Sequence, residues 1–279
     1  MSDLAIVIVS YNACAELEVC LDALAVHPPA TPHEIVVVDN ASSDGSAQLA
    51  RARWPHVTVI DAGDNLGFAR ATNLGIRATM SPLLLLLNSD TVPSRGSLDR
   101  LVAILRSRDS VAVVGPRLVN AQGVLEVSFG LMISPFAELW QKCLVAGQRR
   151  QTPLVARLVE RRARTERVVD WVSGACLLVR RGEAEAVGLL DERYFLYLED
   201  VDFCAAVRGL GRHILYTPSV EIVHHRGRSR QTAPASAMTA YRRSQLAFYQ
   251  KHHPRWYPIL RAYLRMGGKL PRGDSQGGS

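Results

Sequence analysis

The chain has 279 residues, 48% of them apolar and 6% aromatic, which is enough to bury the core of one large α/β domain or two small ones. Its five cysteines are odd in number and scattered, none of them in a Cys-x-x-Cys pair; this sets aside a disulfide framework or a zinc site and points to a reducing compartment. The net charge of +7 is lopsided, because residues 1–225 carry 22 basic and 25 acidic side chains whereas residues 226–279 carry 11 basic residues and one acid, Asp274.

Met1-Ser2-Asp3 lacks the basic start of a signal peptide, and Leu4–Val9 is too short for its apolar segment. No stretch approaches the ~20 apolar residues that span a bilayer. The basic tail draws anionic partners: phosphate headgroups, diphosphate lipids or nucleic acid.

In chain order, Leu4–Val9 reads as a strand and Ala15–Val26 as a helix. Glu34–Val38 is a second strand ending at Asp39, and Asp44 is an N-cap for a helix running to about Arg53. Val57–Ile60 and Phe68–Thr79 repeat the strand–helix unit. The five leucines Leu83–Leu87 read as a strand buried on both faces, followed by a helix near Ser97–Ser107 and a strand at Val111–Gly115. This alternation predicts a mostly parallel sheet flanked by helices. Residues 131–169 are amphipathic and basic, with Lys142, Arg149, Arg150, Arg157, Arg161, Arg162, Arg164 and Arg167. Regular structure returns at Val168–Val179, a short helix is expected from Asp200 to about Arg208, and two short strands, Ile214–Thr217 and Val220–Val223, follow. From about Pro234 the tail reads as one or two amphipathic helices broken near Pro254 and Pro258; Gly273–Ser279 are expected to be disordered.

Two acidic stops end apolar runs. Asn88-Ser89-Asp90 closes Leu83–Leu87, at the strand end where open α/β sheets bind ligands. A carboxylate there can hold a divalent metal, Mg2+ or Mn2+, against a diphosphate. Glu199-Asp200-x-Asp202 follows Tyr194–Leu198. One of its acids suffices to cap a helix; three exceed that need, and their repulsion raises at least one pKa unless a cation compensates. A carboxylate so placed can act as a base. A metal–diphosphate site facing a carboxylate base is what sugar transfer from a nucleotide-sugar requires.

The other turns carry polar groups with two readings each. Ser10-Tyr11-Asn12 is either a plain strand-to-helix turn or a ligand contact. Asp39 can accept the imide N–H of uracil or thymine, a role that helix capping does not explain. In Asn65-Leu66-Gly67-Phe68-Ala69-Arg70, Gly67 permits close backbone approach, and Arg70 either reaches the base or diphosphate or is an ordinary surface arginine. His224-His225 lies just after a short strand, where a second metal ligand is wanted.

Val9–Asn12, Val37–Ser46, Asn65–Ile76, Leu84–Asp90, Ser173–Arg180, Tyr197–Arg208 and His224–Ser229 resemble, in order and over roughly residues 1–230, the inverting family-2 glycosyltransferases with a GT-A fold. The resemblance is closest to the bacterial rhamnosyltransferase-like branch. It implies an α/β, Rossmann-like GT-A domain over 1–228, with 131–169 as an insert on the acceptor or membrane side, and a helical basic tail over 229–279. It implies donor contacts from Ser10, Tyr11, Asn12, Asp39, Asn65, Arg70, Asn88 and Ser89, metal contacts from Asp90 and His224, and Asp200 as base with Glu199 beside it. Asn88 departs from the first Asp of the family's Asp-x-Asp, as that branch commonly does.

The expected reaction is a single displacement with inversion, from a dTDP- or UDP-sugar (L-rhamnose first) to a saccharide hydroxyl on a polyprenyl diphosphate. Leu139, Trp140, Leu144, Val155 and Leu158 in the insert, and Leu246, Phe248, Tyr249, Trp256, Tyr257, Leu260 and Leu264 in the tail, suit interfacial helices on an anionic leaflet. The expected location is therefore peripheral, on the cytoplasmic face of the plasma membrane. A second copy of the chain is kept as a partner; nucleic acid is not, because the tail lacks a recognition motif. The competing reading is a nucleotide-sugar-binding subunit without catalysis.

Overall fold

The computed structural model describes residues 2–135, 160–225 and 234–271. Calls on Lys142, Cys143, Arg149, Arg150, Arg157, Leu139, Trp140, Leu144, Val155, Leu158, Arg226–Ser229 and Gly273–Ser279 lie outside the described residues.

The first half alternates strand and helix as the apolar spacing predicts: β1 (Leu4–Ser10), α1 (Cys14–Val26), β2 (His33–Asp39), α2 (Ser46–Arg53), β3 (Thr58–Asp61), α3 (Phe68–Arg77), β4 (Leu83–Asn88), β5 (Thr91–Pro93), α4 (Ser97–Arg106) and β6 (Val111–Val119). The second half holds β7 (Phe129–Gly130), β8 (Arg167–Val169), β9 (Trp171–Val172), β10 (Cys176–Arg180), α5 (Arg181–Ala186), α6 (Glu199–Gly209), β11 (His213–His224), α7 (Pro234–His252) and α8 (Tyr257–Met266).

One sheet runs in the order β3-β2-β1-β4-β10-β6-β11-β5, with β8 on β11, and β7 pairs with β9 apart from it. Strands β3, β2, β1 and β4 are mutually parallel, as is the β6–β11 pair, while β10 enters antiparallel between β4 and β6. The central sheet is thus the expected one, flanked by helices on both faces.

The five leucines of β4 divide by parity. Leu83, Leu85 and Leu87 join the core under α1 and α4, with Ile6, Ile8, Leu21, Leu101 and Leu105. Leu84 and Leu86 join the opposite core, with Ala69, Ile76, Phe203 and Val207 from α3 and α6. Alternation on a strand buried on both faces requires an apolar residue at every position, which the Leu run supplies.

Several sequence expectations change. Asp44 is not the N-cap of α2; Gly45 holds that place with φ +88°, and Asp44 instead accepts from Ser46 N (3.1 Å) and, across the loop, from Cys14 N (2.8 Å). The two strands expected at 214–223 are one, β11, broken in register by a bulge between Thr217 and Glu221. The 3-residue β5 is too short to leave a periodic signal.

The tail also differs. Leu246, Phe248, Tyr249 and Leu264 do not face outward but are buried, and Phe248 and Tyr249 join the core that contains Phe203 and Val207. α7 therefore packs on the sheet face that α6 also covers. Among the described residues no helix is long and apolar enough to cross a membrane.

Candidate active site

Ser10 and Asp39 end adjacent parallel strands in direct register, which places both at the C-terminal edge of the sheet. Asp39 Oδ2 accepts from Ser42 N (3.0 Å), whereas the buried Asp39 Oδ1 and Ser10 Oγ have no hydrogen-bond partner among the described residues. A buried polar atom left this way costs stability unless a ligand satisfies it. Asn12, in the left-handed region at φ +48°, closes the turn, with Oδ1 accepting from Ser43 N (2.8 Å) and N donating to Ser42 Oγ (3.0 Å). Tyr11 lies exposed beside it.

Asn40 clamps the next turn: its Nδ2 donates to Asn65 Oδ1 (2.9 Å), and its Oδ1 accepts from Leu66 N (2.8 Å). Asn65 Oδ1 also accepts from Gly67 N (3.1 Å). Gly67 sits at φ +79° with its α-carbon against Phe195, so a side chain there would collide with the Phe195 backbone. This contact and the Phe68 N to Phe195 O bond (2.7 Å) bring the 195 loop onto the start of α3.

The turn between β9 and β10 joins the remaining pieces. Asn88 N donates to Ala175 O (3.0 Å), and Gly174 N donates to Asp200 Oδ2 (2.9 Å). Consecutive residues thus hold the end of β4 and the proposed base. Asp200 Oδ1 accepts from Val201 N (2.8 Å). Tyr197 and Leu198 precede the carboxylates in left-handed backbone, at φ +70° and +68°. Two non-glycine residues in that region store about 1–3 kcal/mol each, and such strain gathers at active sites. Their effect is to start α6 abruptly at Glu199.

The three acids separate by environment. Glu199 is buried, its Oε2 has no hydrogen-bond partner among the described residues, and burial together with the Asp200 charge pushes its carboxyl well above the usual range. Asp200 is partly exposed; burial of its carboxyl raises its pKa against the lowering pull of the Gly174 and Val201 amides. Asp202 is buried and fully engaged, accepting from Lys251 Nζ (2.8 Å), His252 Nε2 (2.6 Å) and Tyr194 Oη (3.1 Å). The compensating cation for the acid cluster comes from the tail helix and serves Asp202.

At the other end, β5 pairs with β11 so that His224 opposes Thr91, beside Asp90. His224 Nε2 lies 3.1 Å from Asp90 Oδ1, and His224 Nδ1 lies 2.8 Å from Glu126 Oε2. Burial would lower the imidazole pKa, but hydrogen bonds to the two carboxylates outweigh it and push it up to about 9. His224 offers a nitrogen ligand only once Nε2 gives up its proton; Asp90 and that nitrogen would then present an oxygen and a nitrogen at one point, a donor set that suits Mn2+ or Mg2+ when phosphate and water complete the shell. No cluster of three or more protein ligands occurs among the described residues, so the residues fit a shared protein–diphosphate metal site and not an all-protein cage.

The structure therefore assembles Ser10, Tyr11, Asn12, Asp39, Asn65, Asn88, Ser89, Asp90, Glu199, Asp200 and His224 along one edge. Arg70 is exposed in the first turn of α3, with Nε 3.6 Å from Glu192. The sequence reading missed Asn40, Glu126 and the Asp202–Lys251–His252 anchor. Glu126 left a signal, as a lone acid inside the apolar stretch Val124-Leu125-Glu126-Val127.

The mostly parallel sheet flanked by helices has the GT-A architecture. The family model described as "Glycosyl transferase family 2" matches residues 5–156, and the chain belongs to that family. It is 33% identical over 273 residues, 94% of this chain and 88% of the relative, to an N-acetylglucosaminyl-diphospho-decaprenol L-rhamnosyltransferase of Mycobacterium tuberculosis. It is 25% identical over 229 residues, 81% of this chain and 68% of the relative, to the low-salt glycan biosynthesis hexosyltransferase Agl10 of Haloferax volcanii. In structure it is similar to the mannosyltransferase PcManGT from Pyrobaculum calidifontis, solved with GDP-Man and Mn2+, with a TM-score of 0.63 at 18% identity, covering 99% of this chain and 76% of the other.

Proposed function

We propose that the chain transfers L-rhamnose from dTDP-β-L-rhamnose to a hydroxyl of a polyprenyl-diphosphate-linked N-acetylglucosamine, inverting the anomeric centre, in cell-wall or surface-polysaccharide synthesis. The transferred sugar and the acceptor follow the name of the 33%-identical mycobacterial relative, and the dTDP donor follows the rhamnosyltransferase resemblance of the sequence. The observation that carries the chemistry is Asp200: partly exposed, hung from Gly174 N, and raised in pKa. A carboxylate raised above its ordinary range is a stronger base for a hydroxyl proton.

In this reading Asp39 accepts the imide N–H of the base through its unpartnered Oδ1. Ser10, Tyr11 and Asn12 line the nucleoside, and Asn88, Ser89 and Asn65 border the diphosphate. Asp90, with His224 once its Nε2 is deprotonated, would hold Mg2+ or Mn2+ there. The ion, when bound, supplies positive charge against the departing nucleoside diphosphate. Asp200 removes the proton from the acceptor hydroxyl, whose oxygen attacks the anomeric carbon opposite the leaving group. One displacement converts the β-linked donor into an α-linked product. Glu199, buried behind Asp200, keeps its proton and withholds a second negative charge from the site.

The acceptor's lipid places the enzyme at the cytoplasmic face of the plasma membrane, and α8 provides the contact. Trp256, Ile259, Tyr263 and Met266 are exposed and recur at helical spacing along one side, while Leu264 is buried. Arg255, Arg265 and Lys269 accompany them, and residues 255–271 contain no acid. Such a face suits an anionic leaflet.

A thermal-shift panel of dTDP- and UDP-sugars, with and without Mn2+, followed by transfer to a short-chain prenyl-diphosphate N-acetylglucosamine, tests the reading. dTDP-rhamnose with Mn2+ is expected to stabilise most and to give an α-linked product. Larger stabilisation by a UDP-sugar moves the donor assignment, since Asp39 serves uracil and thymine alike. Donor binding without any transfer supports the non-catalytic alternative.

A further inference from the structure

The tail helix makes five contacts, through four side chains, with the segment that carries the carboxylates. Ser244, buried, donates from Oγ to Leu196 O (2.8 Å). The Tyr241 ring meets the Tyr197 ring edge-on at 6.2 Å. Lys251 Nζ bridges Asp191 Oδ2 (2.9 Å) and Asp202 Oδ2 (2.8 Å), and His252 Nε2 reaches Asp202 Oδ1 (2.6 Å). Asp191 and Asp202 bracket the segment, and Leu196 and Tyr197 lie at its middle. Lys251 therefore ties its two ends together while Ser244 holds its centre.

That segment needs holding. Tyr197 and Leu198 are both left-handed, a pairing that relaxes when the surroundings do not impose it. On its other side the segment meets α3, through the Phe68 N to Phe195 O bond, the Gly67 contact and the bonds of Asn73 and Arg77 to Glu192, and Gly174 N reaches Asp200 itself, but none of these hydrogen bonds falls on Leu196, Tyr197 or Leu198. A carboxylate at the first turn of α6 moves with any change in the two dihedrals before it.

We propose that Ser244, Lys251 and His252 of α7 are positioning residues: they clamp the Asp191–Asp202 segment and so fix the Asp200 carboxylate at the proposed acceptor site. The inference rests on the reading of Asp200 as base. The clamp makes the C-terminal helix part of the transfer machinery, although none of its side chains touches a reacting atom. Reactive groups displaced by about 1 Å lose on the order of a hundredfold in rate.

The test uses the full chain carrying Ser244→Ala or, separately, Lys251→Gln, with Asp200→Asn in parallel. Turnover is measured with dTDP-rhamnose and a short-chain prenyl-diphosphate N-acetylglucosamine, dTDP affinity by calorimetry, and amide hydrogen exchange across residues 195–201. The expected result is a kcat about ten- to a hundredfold lower, dTDP affinity within twofold, and faster exchange at 196–201 with the rest of the sheet unchanged. A helix that only adds stability would leave kcat unaltered below the melting transition. Wild-type kcat in both α7 variants, or unchanged exchange, overturns the clamp. If Asp200→Asn is inactive while both α7 variants turn over normally, the clamp alone falls. If Asp200→Asn keeps its turnover, the base assignment falls and the clamp's catalytic meaning with it. If the wild-type chain does not use these substrates, the exchange rates decide whether α7 holds the loop.

Discussion

Around Asp39 the site is built from neutral groups that meet across single βα units, 25 to 31 residues apart, whereas the acid cluster and the Asp90 turn draw in charges from farther along the chain. Asn12, Ser42, Ser43, Asn40 and Asn65 satisfy one another across successive βα turns and leave Asp39 Oδ1 and Ser10 Oγ facing the edge. On the other side Lys251 reaches Asp202 across 49 residues, and Glu126 reaches His224 across 98. The first plan gives a preformed cradle that costs little to keep. The second holds buried carboxylates and left-handed backbone in place by tertiary contact alone. A site that must bind can be local and relaxed; one that must take a proton needs a carboxylate kept out of water, and burial is expensive unless distant groups pay for it.

The sharpest division between the two regions is expected from Asp200→Asn. It should lower kcat by ~100- to 10,000-fold, while dTDP affinity stays within twofold. Equal loss of nucleotide binding would show that the regions are not separable. Near-normal turnover would remove Asp200 as base.

The same contrast explains what could be read from the chain. β1 to α4 were legible because apolar period and turn chemistry repeat locally, and each strand end announced its polar residue: Ser10, Asp39, Asn88 to Asp90. The acidic helix start at Glu199–Asp202 was legible as a cluster, but not its division of labour. That depends on Lys251 and His252, which in sequence look like surface residues of a basic tail. The reading of Phe248 and Tyr249 as membrane-facing failed for the same reason, since an amphipathic helix shows its apolar side without showing what covers it. Arg70 fits the family spacing, yet its partner Glu192 lies in a distant segment that no local pattern announces.

Glu126 is the next test of the long-range plan. By accepting from His224 Nδ1 it fixes the ring so that Nε2 faces Asp90. Glu126→Gln should weaken Mn2+ binding in the presence of dTDP by ~10- to 100-fold, the usual cost of losing an outer-shell partner of a ligand. Electron paramagnetic resonance of free Mn2+ measures it. dTDP binding without metal should not change; unchanged Mn2+ affinity would reduce Glu126 to a packing role.

A smaller effect is expected on the local side from Asp39→Asn. The substitution keeps the shape and the Ser42 N contact but turns an ionic acceptor into an amide that can present a donor to the imide N–H. Hydrogen bonds to charged groups are worth about 1.5–3 kcal/mol, so dTDP and UDP should both bind about tenfold or more weakly, with kcat at saturating donor preserved. A loss of kcat without a loss of affinity would place the nucleoside elsewhere.

The smallest effect carries a sign that separates function from stability. Burial and the Asp200 charge raise the Glu199 pKa in the folded protein above its unfolded value of about 4.5. The folded state then holds a proton that the unfolded state releases, so the native protein loses stability as pH rises from about 4.5 toward the folded pKa. Glu199→Gln removes that ionisation while keeping the side chain's size. Its melting temperature should exceed that of the wild-type chain at pH 7 and converge with it near pH 4, at roughly 2–4 °C per kcal/mol for a domain of this size. Activity should change little in the same variant, because the amide is as neutral as the protonated carboxyl it replaces. Scanning calorimetry from pH 4 to 8 gives the answer. A variant that melts lower than the wild-type chain at neutral pH would mean that Glu199 is held in the ionised form by a partner, and the burial that distinguishes it from Asp200 would have to be reassigned.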